Sequence, residues 1–471
     1  MDNVKLLLDR ITNRVNANLK EFQFDTHTFV DNTIEFDKLT KFYCFYGITS
    51  RHPIYFNFTN SCMAGSYFLG KANVRQSCIY KSDVRGDELK RKGDILDKNN
   101  PLPLVDDEVF VITGSLLYKT LVHSNSHNPE TPEEFTIRNT ISAHYANIHG
   151  STLEGCFLGP FATVDLMNLH SCVLGAFSYV QADEFFHRKI EPGVVWIETK
   201  SFKFKFKHEQ DVLDKYIGVN EKYQPRGLIY EFVDEKETEY ERLFEVVDLK
   251  PIKAPASSAV NRYAVIKPKT EIGANVLISQ RAYVENSKMG DGSNAQENTF
   301  IINSHLEGMC ITAHGGKIIN AFIGLKTFVG FNSFLFGKEH AKLTIGQGCI
   351  VMPHTIIDIK EPLNIPKHLL VWGYITCTSD LAKNSIPIDE LRGFRGAETI
   401  GDMTFTGSGE EFVNVFNHRI ERILEANGAY CNGNGEMCGH AQDDQQISFN
   451  TLQPYRSGGN SGIYPTIRIL P

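Results

Sequence analysis

Glu297 and His314 stand seventeen positions apart, and His314 opens a His-Gly-Gly run at 314 to 316. Histidine is the side chain whose ordinary pKa lets it take up and return a proton near neutral pH. A carboxylate beside it can orient the ring and stabilise its charged form. Such a pair could strip the proton from a hydroxyl or an amine. Two further pairs, Glu154 with His170 and His149 with Asp165, are each sixteen apart. We take His314 as the candidate base and Glu297 as its orienting partner. His305 lies in the same stretch, and Gly315 and Gly316 would let a substrate approach the backbone closely. All three pairs are expected at corners facing solvent. The chain has 16 histidines, so some pairings arise by chance, and an exposed ion pair contributes only about 0–1 kcal/mol. The pairing has meaning only if the fold brings residues sixteen or seventeen apart into contact.

The repeat supplies that fold. Aliphatic residues fall at Ile148, Leu153, Leu158, Val164, Leu169, Leu174 and Val180, in steps of five, five and six. Pairs sixteen apart agree in kind, such as Cys156 with Cys172 and Phe161 with Phe177. An earlier stretch shares the unit, with Ser61-Cys62-Met63 against Ser77-Cys78-Ile79, and Leu69 and Val74 at the intermediate steps. A later tract uses seventeen, with triplets Ile272, Ile278, Val284; Met289, Ala295, Ile301; Leu306, Thr312, Ile318; and Ile323, Val329, Leu335. It resumes at Ile345, Val351 and Ile357 after an insertion. A helix would step three and four, not five and six. Three sides per unit, one inward aliphatic per side and a small residue at each corner describe a triangular coil. Coils of this kind stack as parallel strands roughly 4.8 Å apart.

The segments Leu158-Gly159-Pro160-Phe161-Ala162-Thr163 and Ile323-Gly324-Leu325-Lys326-Thr327-Phe328 resemble the hexapeptide-repeat transferases, as does the closing run Ile365-Pro366 to Val371-Trp372-Gly373. The resemblance covers about half of the chain. Several sides are five residues long rather than six, and Tyr374-Ile375 stands where that family has Pro-Ala. The resemblance implies an all-β, left-handed parallel β-helix and an acyltransferase, acetyltransferase-like, that draws on coenzyme A or an acylated carrier. It also implies a small-molecule acceptor, with a sugar or nucleotide-sugar as one class, and a homo-oligomer, a trimer. Two other readings are carried forward. One is a non-enzymatic β-helix platform for protein assembly. The other is a metal enzyme similar to the γ-class carbonic anhydrases, for which His305, His314, His340 and His354 would be the ligand candidates, although their spacing departs from that family's.

Around the coils, five segments are expected: 1–56, helical or mixed; 57–200, a first β-helix tract with an insertion at 91–136; 201–260, inserted strand and helix; 261–375, a second tract; and 376–471, a terminal helix and a flexible tail. The alternating run Phe202 to Lys207 predicts a strand with phenylalanines on one face and Lys203, Lys205 and Lys207 on the other. The lysines could deter edge pairing or bind phosphates of a nucleotide-bearing donor. Lys81 to Glu88 is a dense charged corner, expected to be a solvated turn. Val4, Leu7, Leu8, Ile11 and Val15 predict an amphipathic N-terminal helix packing on the body. Phe412, Val415, Phe416, Ile420 and Ile423 predict a C-terminal one. The net charge, 48 − 56 = −8, argues against a nucleic-acid binder. No apolar run approaches the roughly 20 residues of a membrane span, and a cytoplasmic protein is expected. The ten cysteines suggest mostly free thiols. Cys431, Cys438 and His440 make a weak metal signal, and no metal is expected.

Overall fold

The structure, a computed structural model, describes residues 2–41, 43–49, 52, 55–97, 100–124, 134–245 and 253–452. The chain divides into two compact units. The first comprises 1–192, 213–231 and 447–471, and the second 193–212 and 232–446.

In the second unit, parallel strands stack into three sheets, and the aliphatics legible in the sequence form three inward rows. One row runs Ile278, Ala295, Thr312, Val329, Val351 and Val371. A second runs Val284, Ile301, Ile318, Leu335, Ile357 and Ile375. The third runs Ile272, Met289, Leu306, Ile323, Ile345 and Ile365. Most of these side chains form one buried core cluster. Each fully buried aliphatic contributes about 1.5–3 kcal/mol relative to exposure, so the repeat is the main source of stability. Between Leu335 and Ile357 the step lengthens because the loop from Gly337 to Lys342 is inserted there.

The corners explain two residue choices. Asn286, Asn303 and Asn320 hold positive φ angles of 45, 50 and 50°, a conformation that asparagine tolerates better than most side chains. Asn286 Nδ2 donates to Asn303 Oδ1 at 2.8 Å, so the amides also link successive coils. At Gly290 a Cβ would stand 2.1 Å from the Glu307 carbonyl oxygen, which leaves room only for glycine.

The first unit repeats the plan. Phe68, Val84, Val122, Ile148, Val164 and Val180 form one row. Phe58, Val74, Ile112, Ile137, Leu153, Leu169 and Phe185 form another. Two sequence expectations need correction. The inward residue near the start is Phe68, not Leu69, which pairs outward with Arg85. The stretch 91–136 is not all insertion, because Val109–Thr113, Leu116–Tyr118, Leu121–His123 and Glu134–Arg138 are coil strands. A hairpin of Ile95–Asp97 and Asn100–Pro103 separates them from the preceding coil and breaks the period. The N-terminal helix Asp2–Leu19 lays Leu8, Ile11, Val15 and Leu19 against the outer face of a sheet, on Leu116, Ile141, Phe157 and Val173. The tail is not loose throughout. Ser448–Leu452 adds as an antiparallel strand beside Cys44–Ile48, and Cys431 and Cys438 are joined as a disulfide rather than held as metal ligands. The other eight cysteines are free thiols.

The Phe-Lys run is a strand, Phe202–Lys207, with the phenylalanines buried. It is not an edge, because Val194–Glu198 pairs with it on one side and Met403–Ser408 on the other. Helix Gly409–Ala426, capped by the Ser408 hydroxyl accepting from Glu411 N–H, packs Phe412 on Phe202 and Phe204 of that face and buries Val413, Phe416, Ile420 and Leu424. Val415, expected on the packed side, is 40% exposed.

Candidate active site

Glu297 and His314 occupy equivalent turns in successive coils of the second unit. The backbone registers them: Gly315 N–H donates to Glu297 C=O at 2.9 Å, and Asn332 N–H to His314 C=O at 3.0 Å. His314 Nδ1 stands 2.7 Å from Glu297 Oε2. Contrary to the solvent-facing corner expected, the side chains are only 3% and 4% exposed. Part of that cover is Phe331, in the next coil, whose ring centroid lies 5.3 Å from the imidazole. Gln280 is buried in the preceding coil and His354 in the last of this row. The His354 carbonyl lies 2.8 Å from His208 Nε2, and burial pushes His208 down to about 4, which keeps that ring neutral near pH 7. A low-dielectric setting strengthens the direct attraction between Glu297 and a charged His314, while desolvation of both groups opposes it.

The neighbouring glycines answer first to the backbone. Gly315 has φ +71°, and a Cβ there would come 2.2 Å from Asn332 Oδ1. At Gly316 a Cβ would meet the Ala313 carbonyl at 3.0 Å. His305 is not brought to this turn. It sits on another sheet, between Lys288 and Phe322, with its ring 5.1 Å from that of Phe322. The four histidines considered as a metal set, His305, His314, His340 and His354, are not gathered as ligands among the described residues. Lys203 lies 3.3 Å from Glu198, and the ammonium groups of Lys203 and Lys205 sit 4.5 Å from the centre of the Trp196 ring. Lys207 is at the exposed end of the strand. A cavity of about 430 Å³ in this unit borders a different corner row, through Lys326, Gly348 and His368, where Lys326 pairs with Glu421. It does not include the Glu297–His314 turn.

Lys317 escaped the sequence reading. It is only 1% exposed, donates to the Gly315 carbonyl at 2.5 Å, and burial pushes its ammonium down to about 7. Its signal was available: it is the one charged residue in the row Tyr283, Phe300, Lys317, Phe334, Ile356.

In the first unit a second polar row was also passed over in part. Arg85, His123, His149 and Asp165 are successive partners across four coils. His149 Nδ1 lies 2.7 Å from Asp165 Oδ1, as the offset of sixteen suggests, and Asp165 is completely buried. The Lys81–Glu88 corner is not a solvated turn, since Asp83 and Arg85 are buried. His170 is in register with Glu154, but its imidazole turns to Glu184, 3.2 Å away. His123 was missed because the broken period hid its coil.

Comparison with known proteins fits this architecture. The family described as hexapeptide repeat including loop matches residues 100–221. A crystal structure of a protein from Desulfovibrio desulfuricans G20, described as a "putative acetyltransferase", is 50% identical over 97% of this chain and 96% of that one, with a TM-score of 0.88. No curated protein matches in sequence. No helix among the described residues is long and apolar enough to cross a membrane.

Proposed function

This chain belongs to the hexapeptide-repeat transferases of acetyltransferase-like type, and from that premise we propose that it moves an acyl group, acetyl first among them, from coenzyme A or an acylated carrier to a hydroxyl or amine of a small acceptor. The contact that carries this reading is the buried Glu297–His314 pair at 2.7 Å. A sugar or nucleotide-sugar is the acceptor class that the family resemblance favours.

In this reading Glu297 stands beside Nδ1 of His314, and Nε2 is the base. As the acceptor oxygen or nitrogen attacks the thioester carbonyl carbon, Nε2 takes its proton. Collapse of the tetrahedral intermediate breaks the C–S bond, and the imidazolium returns the proton to the leaving thiolate. Burial of both side chains supports the assignment, because a fixed carboxylate in a low-dielectric setting stabilises the transient imidazolium without reorganisation. Gly315 and Gly316 keep the turn slim enough for an acceptor to approach. Lys203, Lys205 and Lys207 form a basic strip suited to the donor's phosphates, with Lys207 the most accessible of the three. We also take the β-helix to be left-handed with triangular coils of 16 or 17 residues, and the protein to act as a cytoplasmic trimer.

Release of free thiol from acetyl-CoA, measured over a panel of sugar, nucleotide-sugar and amine acceptors, tests this function. Thermal shift with acetyl-CoA supplies the binding arm, because a ligand of the folded state raises its melting temperature. His314→Ala is expected to lower turnover by about 10²–10⁴-fold, the usual worth of a positioned general base. An unchanged rate in a folded His314→Ala variant would remove His314 from the reaction. No acyl transfer and no shift with any thioester would remove the enzyme reading.

A further inference from the structure

The corner row that holds Glu297 and His314 contains one more polar side chain, to which the steps of acyl transfer give no part. Ile278 is in register with Ala295 and Tyr283 with Phe300, so Gln280 occupies the turn position of Glu297 one coil earlier. Ser279 N–H donates to the Ala295 carbonyl and Arg281 N–H to the Tyr263 carbonyl, both at 2.9 Å, which ties this turn to the coils on either side. Gln280 is 1% exposed. Neither Nε2 nor Oε1 of its side chain has a hydrogen-bond partner among the described residues. Buried Asn73, Asn294, Asn384 and Asn427 each lack a partner at one amide atom, whereas Gln280 lacks one at both.

An amide taken out of water has to recover its hydrogen bonds, and one that recovers none lowers stability. Methionine or leucine would fill the same space without that penalty. Its place beside the proposed base gives the unmet amide a use, as a group held ready for substrate. The chemistry of the row narrows the partner. The Glu297 carboxylate is one coil away, about 4.8 Å along the stack, and would repel a phosphate or a carboxylate, so the partner is neutral. The amide offers two N–H groups and one carbonyl oxygen, so the partner both accepts and donates. A hydroxyl does both. Gln280 and His314 are two coils apart, about 10 Å along the stack, so a second hydroxyl of the acceptor suits Gln280, not the one that gives its proton to Nε2.

We infer that Gln280 is a specificity-determining residue, whose amide binds an unreactive hydroxyl of a neutral, polyhydroxylated acceptor of the sugar class while His314 serves the reacting one. The inference rests on the acyl-transfer reading and states what its acceptor must carry. Entry requires the side chains that cover the row to part. Once inside, the hydroxyl exchanges water for the Gln280 amide, and the amide gains the hydrogen bonds it lacks in the ligand-free chain. An acceptor without that hydroxyl leaves the amide unmet and is rejected, because a site built to hydrogen-bond a hydroxyl selects against the analogue that lacks it.

The test uses the full-length protein with acetyl-CoA as donor. Glucose, galactose and N-acetylglucosamine are the acceptors, beside their monodeoxy analogues and ethylamine, which has no hydroxyl. Thiol release and thermal shift are the readouts. In the wild type, loss of the bound hydroxyl should lower kcat/KM about 10–100-fold. Gln280→Met is close in size and has no amide. It should lower kcat/KM for the intact sugar by a similar factor and bring the ratio of intact to deoxy sugar to about one. The ligand-free variant should melt above the wild type, since no amide is left unmet, and the rise in melting temperature caused by sugar should be lost. Gln280→Leu replaces it should the methionine variant fail to fold. An unchanged ratio, transfer confined to ethylamine, or a ligand-free variant that melts below the wild type would overturn the role of Gln280 and leave acyl transfer standing. A sugar-induced shift that disappears in Gln280→Met, with no thiol release from the wild type, would keep the binding role and remove acyl transfer. Neither transfer nor a sugar-induced shift in the wild type would overturn both.

Discussion

Replacing Lys317 with methionine should stabilise the second unit, and by an amount that depends on pH. Lys317 lies between Phe300 and Phe334 in its row, and Phe232 packs over both rings at 5.2 and 6.3 Å. Burial lowers the ammonium from 10.5 to about 7. The folded chain therefore binds this proton only below about pH 7, while the unfolded chain keeps it up to about 10.5. Between those values the unfolded state holds more protons, so stability rises with pH. The destabilisation is full below pH 7 and fades as pH approaches 10.5. At 1.36 kcal/mol per pKa unit, the cost is about 5 kcal/mol near pH 6 and about 2 kcal/mol near pH 9. Methionine cannot donate to the Gly315 carbonyl, and leaving a buried acceptor unmet costs about 1–3 kcal/mol. The net expectation is a gain of about 2–4 kcal/mol at pH 6 that falls to about zero at pH 9. Both tryptophans, Trp196 and Trp372, lie in the second unit. Urea unfolding followed by intrinsic fluorescence at pH 6, 7.5 and 9 therefore reads the right unit. A stability difference independent of pH, or a loss at pH 6, would refute the reasoning.

Ile301→Ala empties a position between Val284 and Ile318 on the inward row; a loss of about 2–5 kcal/mol in urea unfolding is expected. Gly290→Ala should cost more than a surface substitution, above about 1 kcal/mol, because its Cβ would stand 2.1 Å from the Glu307 carbonyl oxygen; thermal melting checks it. Glu297→Gln keeps the shape but removes the charge beside His314. Turnover of the folded variant should fall at least tenfold, read as kcat in the thiol-release assay. Ending the chain at Gln446 removes the Ser448–Leu452 strand and bares an edge of Cys44–Ile48. Open edges template pairing between chains, so light scattering should detect association that the full chain lacks.

The inward rows of the second unit were legible because one face of every strand is buried and the unit is regular. A slip of one residue would turn Ile301, Ile318 and Leu335 outward together, so the register is strongly specified. Where a loop changes the step, the signal fails. The coil from Val109 to His123 was read as insertion because the preceding hairpin separates Val74 from its partner Ile112 by far more than sixteen residues. Burial of polar residues was the other blind spot. Asp83, Arg85 and Lys317 look like surface residues in composition, yet all three are buried. Cover by another element is a tertiary property that a local pattern does not carry. The fate of Cys431 and Cys438 likewise depends on how the chain turns after the terminal helix, not on their spacing alone.

Register nominates partners, and packing chooses among them. Every outward side chain in a stacked coil has two strand neighbours, one before and one after, so a histidine has a carboxylate partner only if the competing neighbour does not claim its ring. His170 shows the competition. Its preceding neighbour is Glu154 and its following neighbour is Phe186. The imidazole lies flat on Phe186, with centroids 4.7 Å apart and planes within 13°, and reaches Glu184 instead of Glu154. His314 also has an aromatic residue in the following coil, but Phe331 meets it tilted at 57°. His314 Nδ1 stands 2.7 Å from Glu297 Oε2, in the preceding coil. His149 is the mirror case, with its acid in the following coil and a second histidine in the preceding one. The neighbour one coil away thus competes with the acid for the histidine ring, as Phe186 does at His170.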